Sequence, residues 1–389
     1  MRITAYRTVT TLQDWGRPVG DVNGFIRDGI TEVPIVILET DEGLEGIGVG
    51  SHVDIDRVFP AIEGEDPRAV VALYDRMLAR VFKGGHVGAT FGGIGALDMA
   101  LWDLKAKIAD EPLWRTLGAR DRFVPAYASA LEIAIPDDEL SDLYGEWVAR
   151  GFTSVKVKGG LNLDSDLVRL ARVRDIFSVN TPRPGIMLDA NESWNRKQAI
   201  RYIHAVEEKV DLSWVEEPLR RWDADGMAMV SRAVRAGVAT GENLTGLEQF
   251  KPLLDAGAVD IVQVGSMWGI THFLRVAAVA HSRDLPISPV GSTANPVFHA
   301  AAAVPNHLSA ELQDLGAPLG MTVDYEIADG GIVLGDKPGH GTTIDETRIA
   351  RAVPLDGWAQ TDGPHVRPDR AGLRLVPESR SDGPRQSGR

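Results

Sequence analysis

Between Arg122 and about Ala328, short apolar runs alternate with helical stretches, and the runs end near Ala128, Lys158, Asp189, Glu216, Glu242, Gln263, Ser288 and Glu311. Each run with its following helix takes roughly 25 to 30 residues, the length of a strand-plus-helix unit. Strands separated by helices run parallel, and eight in series close into a barrel rather than an open sheet. In such a barrel the working groups sit at the C-terminal strand ends. Reactive residues recur at that place: Lys156 and Lys158 (SVKVKGG), Asp189 (IMLDANESW), Glu216 (SWVEEPL) and Glu242 (ATGENLTG).

The residues ahead of the barrel read differently. Ile3 to Val9, Glu32 to Glu39 and Leu44 to Val49 have strand character, the last two joined by a turn at Asp41 to Gly43. Helical stripes follow at 66 to 81 and 93 to 109; the second carries Ile94, Leu97, Leu101, Leu104 and Ile108, with Gly92, Gly93 and Gly95 at its start. The expected organisation is an α+β capping domain over residues 1–122, a (β/α) barrel over 123–328, and a segment over 329–364 that returns to the cap. Residues 365–389, rich in Arg, Pro, Ser and Gly, bury too little apolar surface to order themselves and are expected to form a disordered tail.

Composition narrows the chemistry. Acidic residues outnumber basic ones 55 to 41, with no long Lys/Arg run, so nucleic acid is not an expected partner. With no cysteine there is neither a disulfide nor a thiolate zinc site, and any metal must be held by oxygen or imidazole. The N-terminus has no basic start followed by an apolar core, and no run of about 18 apolar residues occurs. A cytoplasmic chain without a membrane span is expected.

Lys156 and Lys158, two apart on a strand, point to the same side. Two ammonium groups this close lower each other's proton affinity unless carboxylates compensate, and a neutral lysine is a base. Three carboxylates at consecutive strand ends repel one another in a low-dielectric mouth unless a cation lies among them, and hard oxygen donors from separate strands suit Mg2+.

The ordered set KxK, DAN, VEEP and GEN, with the GGIGALDMALWDLKAKIADEPLWRTLG stretch ahead of it, resembles the enolase superfamily and within it the mandelate racemase group. The resemblance covers nearly the whole chain. It implies an α/β fold: a modified (β/α)8 TIM barrel with an N-terminal α+β capping domain. It implies Mg2+ on Asp189, Glu216 and Glu242, Lys158 as the base that takes the α proton of a carboxylate substrate, and Lys156 against the substrate carboxylate. Glu311 (SAELQDL) matches a position that hydrogen-bonds a carboxylate oxygen in protonated form. The implied product of proton removal is an enediolate. The family also commonly forms dimers or octamers, so a homo-oligomer is expected.

One departure stands out. In the mandelate racemase group an Asp on the sixth strand orients a His at the end of the seventh; Asp260 (VDIVQVG) matches the first, whereas Val290 (LPISPVGS) stands where the His is expected. Chemistry from the lysine face remains, by preference dehydration of a hydroxy or sugar acid. The alternatives are a racemase, epimerase or cycloisomerase of the same superfamily and, from a different class, a non-catalytic binding protein on the same barrel. The acid that stands in for the missing His is sought at His52, placed where a cap loop reaches the mouth, and at His86, Ser292 or Thr293. Trp15, Asn23, Asn191 and Ser288 are expected to contact substrate.

Overall fold

The computed structural model describes residues 1–291, 294–349, 355–360 and 363–366. Eight strands, Phe123–Ala128, Ser154–Lys158, Gly185–Asp189, Leu212–Glu216, Gly237–Thr240, Ile261–Gly265, Ile287–Val290 and Ala310–Leu312, are each parallel to their partners, and the eighth pairs with the first. Between the seventh and eighth, Ile287 N donates to Asn306 O and Leu308 N to Ile287 O, each at 2.9 Å. The ring is closed. Its strands are apolar on both faces because helices cover the outside and side chains fill the inside. Tyr127, Met187, Trp214, Ala239 and Ile261 form a buried layer of their own within the barrel, the Tyr127 and Trp214 rings meeting edge to face at 5.2 Å. Lys156 lies above it, Nζ 5.7 Å from the Tyr127 ring centre, so this layer is the floor of the mouth.

The cap is a three-stranded antiparallel sheet, Ile3–Asp14, Ile30–Thr40 and Glu45–Val49, backed by the long helix Ala89–Ile108. The expected helix begins at residue 93, among its glycines; the observed one begins at Ala89 and carries Gly92, Gly93 and Gly95 within it. Their role is close approach. A Cβ at Gly95 would overlap the Met267 carbonyl of the barrel, and one at Gly48 would overlap the Ala96 carbonyl of the helix. At the same seam Asp98 accepts from Thr271 N at 2.7 Å and Thr271 Oγ1 at 2.5 Å, fastening the cap helix to barrel helix Ile270–His281.

After the eighth strand, Gly331–Leu334 pairs antiparallel with Phe123–Pro125. His340 then reaches the cap, its backbone N donating to Asp103 Oδ1 at 3.0 Å and its Nε2 lying 2.7 Å from Ile47 O. Farther on, Ala359–Gln360 adds a strand to the cap hairpin Val19–Asp21 and Gly24–Ile26. The expected tail boundary at 365 does not hold: His365 N donates to Asn23 Oδ1 at 3.1 Å. Docking on the cap supplies the order that composition alone does not. Residues 367–389 lie outside the described residues. Among the described residues no helix is long and apolar enough to cross a membrane.

Candidate active site

Five strand ends deliver the charged core of the mouth. Lys156 Nζ lies 2.5 Å from Glu216 Oε1, 2.7 Å from Glu311 Oε1 and 3.5 Å from Asp189 Oδ2; Lys158 Nζ lies 2.5 Å from the same Asp189 oxygen. All five side chains are buried. The strand register makes this meeting obligatory, since Lys158 is opposite Asp189 and Asp189 opposite Glu216. Glu242 stands two residues beyond the strand Gly237–Thr240. Neighbouring groups fix the set: Gln263 Nε2 donates to Glu216 Oε2 at 2.7 Å, Asn243 Nδ2 donates to Glu242 and to Glu217, and Lys158 N donates to Glu132 Oε1 at 2.9 Å.

Burial alone would strip the proton from both lysines. Glu216 and Glu311 around Lys156, and Asp189 beside Lys158, outweigh it and hold both above the ordinary lysine range. The compensation by carboxylates thus wins over lysine–lysine repulsion. Burial likewise opposes charge on Asp189, but Lys158 and Lys156 keep it below the usual carboxylate range. Glu216 is pushed up to about 8, by burial first and by the Asp189, Glu242 and Glu311 charges, against Lys156. Burial and Asp189 also raise Glu242. The carboxylates are short of positive charge.

That shortage is the test of fit for a divalent cation. Among the described residues no three acidic side chains are already gathered about one point, because the ammonium groups lie between them. Asp189, Glu216 and Glu242 are nonetheless oxygen donors from consecutive units around a buried, acid-rich spot, the donor set that suits Mg2+. A divalent ion there would take over the neutralisation and free Lys158 from Asp189.

The opposite wall is of another kind. Val290 is buried at the end of the seventh strand, and its register partner on the sixth is Gly265. A Cβ at Gly265 would overlap the Glu242 carbonyl and lie 2.5 Å from Trp268 Nε1. Trp268 fills the place where an orienting acid would reach in. Asp260 does not supply that acid. It precedes the strand and accepts from Val238 N at 2.8 Å and Ser231 Oγ at 3.0 Å, at the N-terminal rim and away from the mouth; adjacency in sequence to the sixth strand put it at the wrong end.

The other expected residues divide. His52 turns its Nε2 to Ile35 O at 2.9 Å, within the cap, and does not line the cavity below. His86 pairs with Glu248 at 2.7 Å. Ser288 donates to Ser309 O at 2.7 Å, so its hydroxyl joins two strands instead of facing the mouth. Ser292 and Thr293 lie outside the described residues. Asn191, at φ 43°, donates its N–H to Asp189 Oδ1 at 2.9 Å, and its buried Oδ1 has no partner among the described residues. Asn23 sits in the cap hairpin. Trp15, with Val33, Val49, Trp268, Val290 and Glu242, lines a cavity of about 350 Å³ between the cap and the later strand ends. Not singled out as site residues from sequence were Trp268 and Gln263, the second legible only as a strand end.

A cap resting on a barrel mouth in which lysines and carboxylates are buried together is the build of an enzyme that moves protons beside a charged substrate group. Comparison with known proteins agrees. Residues 139–348 match the family described as enolase C-terminal domain-like, and residues 27–118 the mandelate racemase / muconate lactonizing enzyme N-terminal domain. The chain belongs to the mandelate racemase/muconate lactonizing enzyme family of the enolase superfamily. It is 31% identical over 334 residues to the 3,6-anhydro-alpha-L-galactonate cycloisomerase of Streptomyces coelicolor, covering 82% of this chain and 91% of the relative. It is equally identical, 31% over 334 residues, to the L-talarate/galactarate dehydratase of Salmonella typhimurium, covering 82% of each. A racemase from Streptomyces coelicolor A3(2), solved with bound magnesium, superposes with a TM-score of 0.81 at 29% identity, covering 89% of this chain and 98% of that one.

Proposed function

We propose that this chain is a Mg2+-dependent dehydratase of a hydroxy or sugar acid, working from the lysine face of the barrel mouth. One observation carries the reading: Lys158 and Asp189 meet at 2.5 Å inside the mouth, while among the described residues Gly265 and Val290 stand in register on the facing strands. Asp189, Glu216 and Glu242 would hold the ion, which supplies positive charge to offset what develops on the substrate carboxylate as its α proton leaves. Lys158, drawn off Asp189, becomes the base. Lys156, kept charged by Glu216 and Glu311, pairs with a substrate carboxylate oxygen. Dehydration is supported by the L-talarate/galactarate dehydratase and by the arabinonate dehydratase of Saccharolobus solfataricus, 28% identical over 81% of this chain. The cap over residues 1–122, with Trp15 on the cavity wall, would read the distal part of the substrate. A cytoplasmic setting and a homo-oligomer belong to the same reading, the second supported by the family resemblance.

A second reading, cycloisomerisation, has in its favour the Streptomyces coelicolor relative. The test is a panel of galactarate, L-talarate, arabinonate and galactonate with Mg2+ in D2O, read by NMR for water loss and for α-proton exchange. Dehydration predicts a keto-deoxy acid; an isomer of unchanged mass would select the second reading, and neither exchange nor product would remove both.

A further inference from the structure

The lysine side of the mouth carries polar groups that the family match, which ends at residue 348, does not include. Residues beyond it come back across the cap hairpin. Ala359 and Gln360 pair with Phe25 and Gly24, Asp356 N donates to Asp28 Oδ2 at 3.0 Å, and the Trp358 indole occupies the space a Cβ on Gly24 would need. Arg220, on the barrel rim, donates to Pro364 O at 3.2 Å.

His365 is thereby set between cap and barrel. Its backbone N–H is held by Asn23 Oδ1 at 3.1 Å, and its Nε2 lies 3.0 Å from Asn191 O. A carbonyl only accepts, so Nε2 carries the proton. Nδ1 has no hydrogen-bond partner among the described residues, and the side chain is exposed. Asp21 accepts from Asn23 N at 2.7 Å, the residue that holds the His365 backbone, and feels the charges of Lys158, Asp189 and His365. The cap hairpin reaches this position because Gly20 N donates to Leu131 O at 2.9 Å, next to the Glu132 that holds the Lys158 backbone.

We propose that His365, delivered by the C-terminal segment and flanked by Asp21, is the proton donor to the leaving hydroxyl, on the same face as Lys158 and in place of a seventh-strand histidine. The inference rests on the dehydratase reading. Neutral Lys158 takes the α hydrogen as a proton, and its bonding pair passes to the carboxylate. When that pair returns, an α–β double bond forms and the β carbon–oxygen bond breaks; the departing oxygen takes the Nδ1 proton of His365 and leaves as water. His365 ends neutral, its Nε2–H still on Asn191, and the enol ketonises. No oxidant or reductant enters. The donor is the imidazolium; burial first and then Arg220 lower it below the usual histidine range, against the Asn191 carbonyl, Glu192 and Asp21, so it gives up its proton readily.

The experiment compares H365Q and H365N with the wild type on whichever acid of the panel the wild type dehydrates. Gln keeps a donor toward Asn191 but transfers no proton. Water loss is expected to fall about a hundredfold or more while α-proton exchange stays within about twofold. In K158M, which binds without turnover, adding the same acid should shift the His365 imidazole resonances. Parallel loss of exchange and elimination, unchanged elimination, or an unmoved imidazole would overturn the assignment. Full exchange in K158M would instead overturn the underlying dehydratase reading, as would a wild type that dehydrates no acid of the panel, and the inference falls with it.

Discussion

Gly265 and Val290 face each other in the parallel register of the sixth and seventh barrel strands, and neither side chain can move a proton. Lys158, paired with Asp189, stands on the other strands of the mouth. Proton exchange should therefore be one-sided: in D2O a single epimer of substrate takes up deuterium at the α position, with its configuration kept. Chiral chromatography of recovered substrate with NMR checks this. Deuterium appearing in both epimers would mean a second base on the Val290 wall.

Lys158→Met should reduce α-proton exchange by about a thousandfold, within the usual range for removal of a general base, while Mg2+ still binds. The variant also has a stability signature. Without the ammonium, Asp189 keeps as its ion pair the longer contact to Lys156, 3.5 Å, and breaking a buried pair costs up to about 3–5 kcal/mol. The metal-free variant should melt lower than the wild type, and Mg2+ should raise its Tm by more, because a ligand stabilises by what its binding supplies to the folded state. Calorimetric melts with and without Mg2+ decide it; equal increments in the two proteins would contradict the exchange of lysine for metal.

Glu216→Gln tests the donor set. Glu216 is fully buried, joined to Lys156 and Gln263, and a neutral amide there removes one of three negative charges. Mg2+ affinity should drop by more than the roughly 10- to 100-fold seen when a residue that only supports a ligand is lost. Titration calorimetry with the metal alone measures it, and unaltered affinity would place the ion elsewhere.

Much of this arrangement is legible in the sequence because a parallel barrel repeats one geometric rule. Lys158, Asp189 and Glu216 each end a strand, so reading the strand ends was enough to bring them together. The same rule tells against Asp260, which adjoins the sixth strand at its start, while the mouth lies at the C-terminal end of that strand. The rule fails for His52, whose ring is taken by the Ile35 carbonyl, a long-range partner invisible to local pattern. His365 lies in a stretch whose composition signals disorder, and only docking on Asn23 and Asn191 orders it. Trp268 could not be foreseen, because its role depends on the absence of a side chain at Gly265.

Asp98 links pH to the joint between cap and barrel. It is fully buried, and burial pushes its carboxyl up to about 7, against the hydrogen bonds from Thr271 and Ile270. In the unfolded chain the same group titrates in the ordinary aspartate range, near 3.8. Between these two values the folded protein holds a proton that the unfolded chain has lost, so stability falls as pH rises, and the loss is complete above about 7. For a gap of about three units the change is on the order of 4 kcal/mol. Asp98→Asn keeps an acceptor for Thr271 and cannot ionise. Its denaturation free energy should resemble the wild type near pH 4, exceed it already at pH 5 and exceed it most near pH 8, with a flatter slope between. Urea titrations of both proteins across that range test it; parallel slopes would show that Asp98 keeps its charge at neutral pH, held by the Thr271 hydrogen bonds alone.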